Sequence, residues 1–238
     1  MKIISNDKLI KRYGTLGKYL NIAALVVLFG GMALTYFRAD LFYVALIALF
    51  AGFILSQVSV FFINRWGRVP RPDQQITSSL KGLTNDYTLY HYNTPVSHLL
   101  VGPSGVWAIL PYYQRGRITY ENKKLKQKGG GIGLAYLKIF AQEGIGRPDL
   151  DAKSDVEKIT SFLSKKLASE IPLVSAAIVF TDKRADVQAD SAPIPTLTAD
   201  KLKDYIRRQA KENPYPIDLI NKIKAILPQE EKNNRKQD

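Results

Sequence analysis

Few side chains in this sequence have the types and spacing that chemistry requires, and two histidines stand out first. His91 and His98 are the only histidines, and the chain has no cysteine. The two imidazoles are seven residues apart across a turn, so they can face one another. Two ligands without a third do not form a catalytic metal site. The sequence therefore predicts hydrogen-bonded strand residues here, with no resident metal and no cofactor.

A second feature is the basic run Lys123-Lys124-Leu125-Lys126-Gln127-Lys128, which is followed by Gly129-Gly130-Gly131-Ile132-Gly133. Basic side chains and exposed backbone N–H groups attract anions such as phosphates. No Gly-Lys-Ser/Thr sequence ends the run, so it is not a P-loop, and a mobile basic loop over residues 123–133 is predicted. The predicted anion-binding residues are Lys123, Lys124, Lys126, Lys128, Arg115 and Arg117.

Two apolar runs near the N-terminus indicate that the chain is attached to a membrane. Residues 19–37 and 41–63 contain no Asp, Glu, Lys, Arg or His. At about 1.5 Å per residue each run spans roughly 28 Å or more, which matches a hydrocarbon core of about 30 Å. A second apolar run follows the first at once, which argues against a cleaved signal peptide. The sequence predicts a transmembrane hairpin of two helices over residues 19–63.

The charges that flank the hairpin predict its orientation. Lys and Arg are retained on the cytoplasmic side of a membrane. Residues 1–18 form a basic segment and residues 64–72 a basic juxtamembrane linker, whereas the turn carries only Arg38. We therefore expect a multi-pass protein of the cell membrane with both termini in the cytoplasm. The flanking basic residues are Lys2, Lys8, Lys11, Arg12, Lys18, Arg65, Arg68 and Arg71.

Small and aromatic residues predict the contacts of the hairpin. Small residues let helix backbones approach closely in lipid. A row of them on the second helix is expected to face the first helix, and contact with a second copy of the chain is the alternative. Trp66, with Arg65 and Arg68, is predicted to anchor the chain among lipid headgroups. The small residues are Ala45, Ala48, Gly52, Ser56 and Ser59, with Ala23, Gly30 and Gly31 on the first helix.

The rest of the chain is large enough for one domain with its own core. Before residue 64 there are six basic and two acidic residues; the totals of 34 and 21 therefore leave 28 and 19, or +9. This surplus favours phosphodiester backbones or acidic headgroups as partners. Residues 229–238 are predicted to be a disordered tail. Periodicity predicts helices over 73–82, 151–167, 199–211 and 215–227, and strands over 87–92, 98–101, 106–110, 117–120 and 173–180.

The segment Val96-Ser97-His98-Leu99-Leu100-Val101-Gly102-Pro103-Ser104-Gly105-Val106-Trp107-Ala108-Ile109 carries a family resemblance. Together with Gly116-Arg117-Ile118, it resembles the nuclease-related domain family, known as NERD, over roughly residues 73–208. Members of that family typically read Asp-His, a strand, Gly-Pro-x-Gly, a second strand and Glu-x-Lys. The resemblance implies a restriction-endonuclease-like fold: an α/β domain over residues 73–228 with a mixed sheet flanked by helices.

The same resemblance implies that the catalytic side chains of the family are missing. Its Asp and Glu would hold Mg²⁺, and its Lys would orient or activate water. Ser97 stands at the Asp position, Leu110 at the Glu position and Tyr112 at the Lys position. Asp73 falls where the family often places a helical Glu, but one carboxylate with one hydroxyl is a poor Mg²⁺ site. We therefore expect no enzyme activity from this domain.

Three functions are weighed on these grounds. The favoured one is a membrane protein whose degenerate nuclease-like domain binds or scaffolds anionic ligands: nucleic acid, a lipid surface or a partner protein. The alternative is an active membrane-bound nuclease that uses Mg²⁺ at a non-standard site including Asp73. The third is a small membrane subunit whose soluble part assembles only with a neighbouring protein.

Overall fold

A computed structural model describes residues 1–128, 144–167 and 172–229 of the chain. The glycine run 129–133 and residues 230–238 of the predicted tail lie outside the described residues. The chain divides into two compact units. One is a helical unit, residues 7–72; the other is a sheet unit, which contains residues 1–6 together with the described residues from 73 onward, except Gly144.

The helical unit consists of two long helices. Helix α1 spans Asp7–Phe37, a short 3-10 turn follows at Ala39–Leu41, helix α2 spans Phe42–Phe62, and a π-helical turn follows at Ile63–Gly67. Both helices are long and apolar enough to cross a membrane. Residues 7–18 were predicted as a basic segment separate from the membrane helix. In the structure they form the beginning of α1, whose 31 residues extend about 46 Å.

Small residues at a seven-residue spacing form the seam between α1 and α2. Gly17, Ala24 and Gly31 are buried on α1, and Ala45, Gly52 and Ser59 are buried on α2. A seven-residue repeat keeps one face of each helix against the other along their length. The prediction was right for Ala45, Gly52, Ser59 and Gly31, but wrong for Ala23 and Gly30. Both are exposed, because Ala24 lies in phase with Gly17 and Gly31, and Ala23 does not.

Close approach at this seam depends on glycine. A Cβ atom added at Gly52 would lie 2.7 Å from Cγ of Leu28, and one added at Gly31 would lie 3.2 Å from Cβ of Ala48. The hydroxyl of Ser59 donates a hydrogen bond of 3.0 Å to the carbonyl of Gly17. Small residues and interhelical hydrogen bonds are the contacts that hold helices together in lipid.

The sheet unit is built on a six-stranded mixed sheet. The strand order is β1-β2-β3-β4-β7-β9. The β2–β3 and β3–β4 pairs are antiparallel; β1–β2, β4–β7 and β7–β9 are parallel. The strands are β1 Lys2–Ser5, β2 Thr88–His91, β3 His98–Gly102, β4 Gly105–Tyr112, β7 Val174–Phe180 and β9 Thr196–Thr198. The helices are α3 Pro72–Ser79, α4 Pro148–Leu167, α5 Ala199–Glu212 and α6 Ile217–Ile226.

Each face of this sheet contributes to a separate hydrophobic core. The α4 core contains Val106, Ala108 and Leu110 of β4, packed with residues of α4 and α6 such as Ile159 and Ile223. The α3 core contains Trp107 and Ile109 of β4, packed with residues of α3 and α5 such as Ile76 and Ile206. Successive strand residues point to opposite faces, so one apolar strand supplies both cores. The mixed sheet flanked by helices that the sequence predicts is confirmed.

A second sheet contains β5, Gly116–Glu121, between β6, Lys124–Lys128, and β8, Ala185–Gln188. The sequence predicted that β5 continues the meander after β4 and that residues 123–128 belong to a loop. Both expectations were wrong. Gly116 has a φ of +93°, which redirects the chain, and the Asn122-Lys123 turn, with φ of 53° and 59°, closes a hairpin. Positive φ at both central residues is the requirement of a tight two-residue hairpin turn.

Strand β1 comes from the extreme N-terminus. Lys2–Ser5 pairs in parallel with Thr88–His91, with Ile4 opposite Tyr90. Backbone hydrogen bonds from Lys2 to Tyr87 at 2.8 Å and from Asn6 to His91 at 3.0 Å extend the pairing at both ends. Ile4 is buried in the α4 core. The residues before the helical hairpin therefore belong to the same sheet as the residues after it.

The seam glycines can be tested by a pair of substitutions. We expect Gly52→Val to lower the free energy of unfolding of the full chain in detergent by about 1–3 kcal/mol, because the new side chain overlaps Leu28. Gly30→Val is the matched control, since nothing lies within 4 Å of a Cβ at that position. Thermal unfolding followed by circular dichroism measures both. Equal losses for the two variants would contradict the packing.

Candidate functional site

The positions at which the resemblance expects catalytic residues lie directly before β3, on β4 and on α3. Leu99 pairs with Ala108 across the β3–β4 hairpin. The pairing ends there, so Ser97, which lies one residue before β3, and Leu110 of β4 are not partners in the ladder. At the two positions where the resemblance expects carboxylates, the side chains are a hydroxyl and a hydrocarbon.

Leu110 and Tyr112 have structural contacts in place of catalytic ones. Leu110 is 7% exposed and belongs to the α4 core. The ring of Tyr112 lies against Phe180, with centroids 5.8 Å apart, and its hydroxyl donates a 2.8 Å hydrogen bond to Oδ2 of Asp151. The residue at the lysine position thus connects the end of β4 to helix α4.

Asp73 lies on helix α3, which packs on the face of the sheet opposite to the α4 core. It is 5% exposed on α3, whose Ile76 packs in the α3 core. Leu110, in contrast, packs in the α4 core on the opposite face. The structure therefore does not gather Asp73 with Leu110 and Tyr112. Within the described ranges, no group of three or more His, Cys, Asp or Glu side chains is arranged to hold a metal ion.

The two histidines do face one another, as predicted. Nδ1 of His91 and Nδ1 of His98 are 2.7 Å apart, and Nε2 of His91 is 2.9 Å from the hydroxyl of Thr77 on α3. Both imidazoles are 2% exposed. The Nδ1–H of one imidazole donates a hydrogen bond to the Nδ1 lone pair of the other, because two N–H groups cannot form this bond. The hydrogen-bonded chain Thr77–His91–His98 links α3 to β2 and β3.

The basic hairpin face is the largest charged feature among the predicted residues. Arg117, Lys124, Lys126 and Lys128 occupy alternate positions of β5 and β6, and the register places Lys128 opposite Arg117 and Lys126 opposite Thr119. The intervening residues Ile118 and Leu125 are buried in the α4 core. We call the surface formed by Arg117, Lys124, Lys126 and Lys128 the basic face. Because paired residues of two strands point to the same side, its four cations share one surface.

Acidic residues neutralise part of the basic face. Glu121 accepts a hydrogen bond from Lys128 and lies 3.9 Å from Lys126, while Asp186 of β8 lies 3.5 Å from Arg117. The hydrogen bond from Lys128 lowers the pKa of the Glu121 carboxyl, so this side chain is ionised at neutral pH. Four cations against two carboxylates leave the face positive. The sequence did not predict Asp186 there, because the β5–β8 pairing joins distant segments.

The two remaining anion candidates are near the hairpin. Lys123 lies in its tight turn and is exposed. Arg115 lies one residue before β5, and its carbonyl accepts a 2.8 Å hydrogen bond from the side-chain amide of Gln127 on β6. The structure thus collects all six predicted anion-binding residues on or beside one hairpin.

The predicted membrane anchor lies in the π-helical turn after α2. The Trp66 ring packs against Tyr13 and Phe62, with centroid distances of 4.9 and 5.5 Å. The guanidinium of Arg65 lies 5.2 Å from the Phe61 centroid and 5.8 Å from that of Trp66. Arg68 follows, and its backbone N–H donates to the carbonyl of Ile63 at 2.7 Å, which closes the turn.

The histidine pair can be tested by a double-mutant cycle. We expect His91→Ala and His98→Ala each to cost about 1–3 kcal/mol, because each leaves one buried Nδ1 without its partner. The double variant should cost less than the two losses combined, with a coupling of about 0.5 kcal/mol or more. Chemical unfolding of the full chain in detergent measures all four proteins. Strictly additive losses would contradict a direct hydrogen bond.

Comparisons with family models, with curated proteins and with solved structures found no match for this chain. The likeness of the β3–β4 segment to nuclease-related domains therefore stays a prediction from the sequence.

Proposed function

We propose that this chain is a membrane-anchored binding module, and that its sheet unit has a nuclease-like fold that binds anionic ligands without cleaving them. The observation that carries the proposal is the basic face, a regular array of cations on a rigid hairpin. The replaced side chains at Ser97, Leu110 and Tyr112 support binding without catalysis, since Leu110 packs in a core and Tyr112 bonds to Asp151.

The order of elements supports a nuclease-like fold. Helix α3 precedes an antiparallel meander of β2, β3 and β4; α4 then leads to β7, which pairs in parallel with β4. The resemblance implies this kind of mixed sheet between helices. The Gly102-Pro103-Ser104-Gly105 turn lies between β3 and β4, as the resemblance requires.

The sheet pairing of the N-terminus supports a hairpin that enters and leaves a membrane on one side. Residues 2–5 precede α1, and their partners, residues 88–91, follow α2. A backbone hydrogen-bond ladder cannot form across a bilayer, so both partners must be on the same side. The excess of Lys and Arg at both ends of the hairpin supports the cytoplasm as that side.

The spacing of the cations favours a repeating polyanion as the ligand. Lys124, Lys126 and Lys128 alternate along an extended strand, so successive ammonium-bearing residues are about 6.8 Å apart. A nucleic-acid backbone presents a regular row of negative charges, and neutralising them releases bound counterions. We therefore favour nucleic acid over a lipid surface or an acidic protein as the ligand of the basic face.

Binding across a salt series tests this proposal. The full chain should be used in discs of zwitterionic lipid, because truncation before residue 71 would remove β1 from the sheet. We expect labelled single-stranded DNA or RNA to bind with an affinity that falls as salt rises. A triple variant with Lys124→Gln, Lys126→Gln and Lys128→Gln should bind more weakly. The slope of log K against log salt concentration should become shallower by up to about 2, because each phosphate contact contributes about 0.7 to that slope.

A matched control removes three exposed lysines from helices: Lys153→Gln, Lys201→Gln and Lys211→Gln. We expect this variant to bind as the unmodified chain does. Equal losses in the two triple variants, or no salt-dependent binding at all, would contradict a role for the basic face. Cleavage is scored in the same tubes with and without Mg²⁺. Metal-dependent cleavage that Asp73→Ala abolishes would replace this proposal with an active nuclease.

A further inference from the structure

We propose that a pocket between α1 and the turn after α2 binds the phosphate-bearing headgroup of an anionic phospholipid. The pocket has a volume of about 480 Å³, and all the residues that line it belong to the helical unit. This inference rests on the membrane placement in the proposed function. It concerns a site separate from the basic face, because no residue of the β5–β6 hairpin lines it.

The charges around the pocket suit an anion. Lys11, Lys18 and Arg71 line it, against the single carboxylate of Asp7. Lys11 and Lys18 are seven residues apart on α1, so they project from similar angles on the helix, about 10 Å apart along its axis. Three cationic residues against one carboxylate leave the pocket with net positive charge.

The opposite wall of the pocket is held in place by close packing. A Cβ atom at Gly14 would lie 2.9 Å from the carbonyl oxygen of Trp66, so only glycine permits this approach of α1 to the turn. The Trp66 ring is fixed by Tyr13 and Phe62, and the turn is closed by the bond from Arg68 to Ile63. The pocket is therefore an open groove with one wall fixed by packing, which distinguishes it from a row of lysines on a single helix.

The position of the pocket along α1 matches the level of the headgroups. The apolar part of α1 begins directly after Lys18, and the hydrocarbon core accounts for about 30 Å of a bilayer that is about 40–45 Å thick with its headgroups. Lys18 and Trp66 thus belong to the interfacial layer, where tryptophan is enriched. Basic pockets beside transmembrane helices on the cytoplasmic side are a recurrent means of binding anionic headgroups. A lipid phosphate near Lys18, with its headgroup directed toward Lys11, fits this arrangement.

Tryptophan quenching by brominated lipids tests the inference on the full chain. Trp66 forms part of the pocket wall, and the only other tryptophan, Trp107, is 5% exposed in the α3 core. Trp107→Phe makes Trp66 the sole reporter. We expect brominated phosphatidylglycerol to quench Trp66 more strongly than brominated phosphatidylcholine at the same mole fraction. Lys11 and Lys18 should each contribute about five-fold to the preference for the anionic lipid.

Two charge-matched variants separate the pocket from general attraction to the membrane. Lys11→Gln with Lys18→Gln should abolish the preference for the anionic lipid. Lys8→Gln with Arg12→Gln removes two exposed cations from the same helix outside the pocket, and should retain most of it. Circular dichroism confirms that both variants fold. Loss of the preference in both variants, or in neither, would overturn the inference.

The same experiment distinguishes failure of the pocket from failure of the membrane placement. Equal quenching by the two lipids would overturn the pocket alone. Absence of quenching by either lipid would overturn the membrane placement and the pocket with it. Millimolar inorganic phosphate is added in a further arm, and we expect the preference for the anionic lipid to persist. Relief of quenching by phosphate would assign the pocket to a soluble phosphate compound instead.

Discussion

The parallel pairing of β1 with β2 is the constraint on which the arrangement of this chain depends. Lys2–Ser5 and Thr88–His91 form one ladder, although the whole helical hairpin separates them in sequence. Parallel strands need a crossover connection, and here the crossover contains α1 and α2. The residues before and after the helical hairpin therefore belong to one sheet. In the proposed membrane placement, this pairing requires both ends of the hairpin to lie on one side, which agrees with the excess of Lys and Arg at both ends.

Alternation along β4 supplies both hydrophobic cores of the sheet unit. The residues that face the α4 core include Leu110, and the strand ends at Tyr112, which bonds to Asp151. Helix α3, which carries Asp73, packs against the other face with Trp107 and Ile109. The two faces hold separate cores, and Leu110 contributes to one of them. The charged surface lies instead on the β5–β6 hairpin.

Local sequence signals predicted many of the helices and strands. Strands β1 and β8 were not predicted, and both pair with segments that are distant in sequence. The Gly102-Pro103-Ser104-Gly105 turn and the apolar runs beside it identified β3 and β4 because a hairpin is set by neighbouring residues. β1 is four residues long, and its partner lies more than eighty residues away. The pairing of β8 with β5 was likewise not predicted, because these strands are distant in sequence. Asp186 was therefore not predicted beside Arg117. The strand conformation of residues 124–128 was not predicted either, and anion binding by the six basic residues stays a prediction.

The side of the membrane on which each segment lies is the most direct test of this account. The chain has no cysteine, so Lys8→Cys, Asp40→Cys and Lys123→Cys each introduce a single thiol. In sealed, right-side-out vesicles, we expect an impermeant maleimide to label Asp40→Cys at once, and the other two only after permeabilisation. Labelling of Lys8→Cys and Lys123→Cys from opposite sides would contradict both the hairpin and the pairing of β1 with β2.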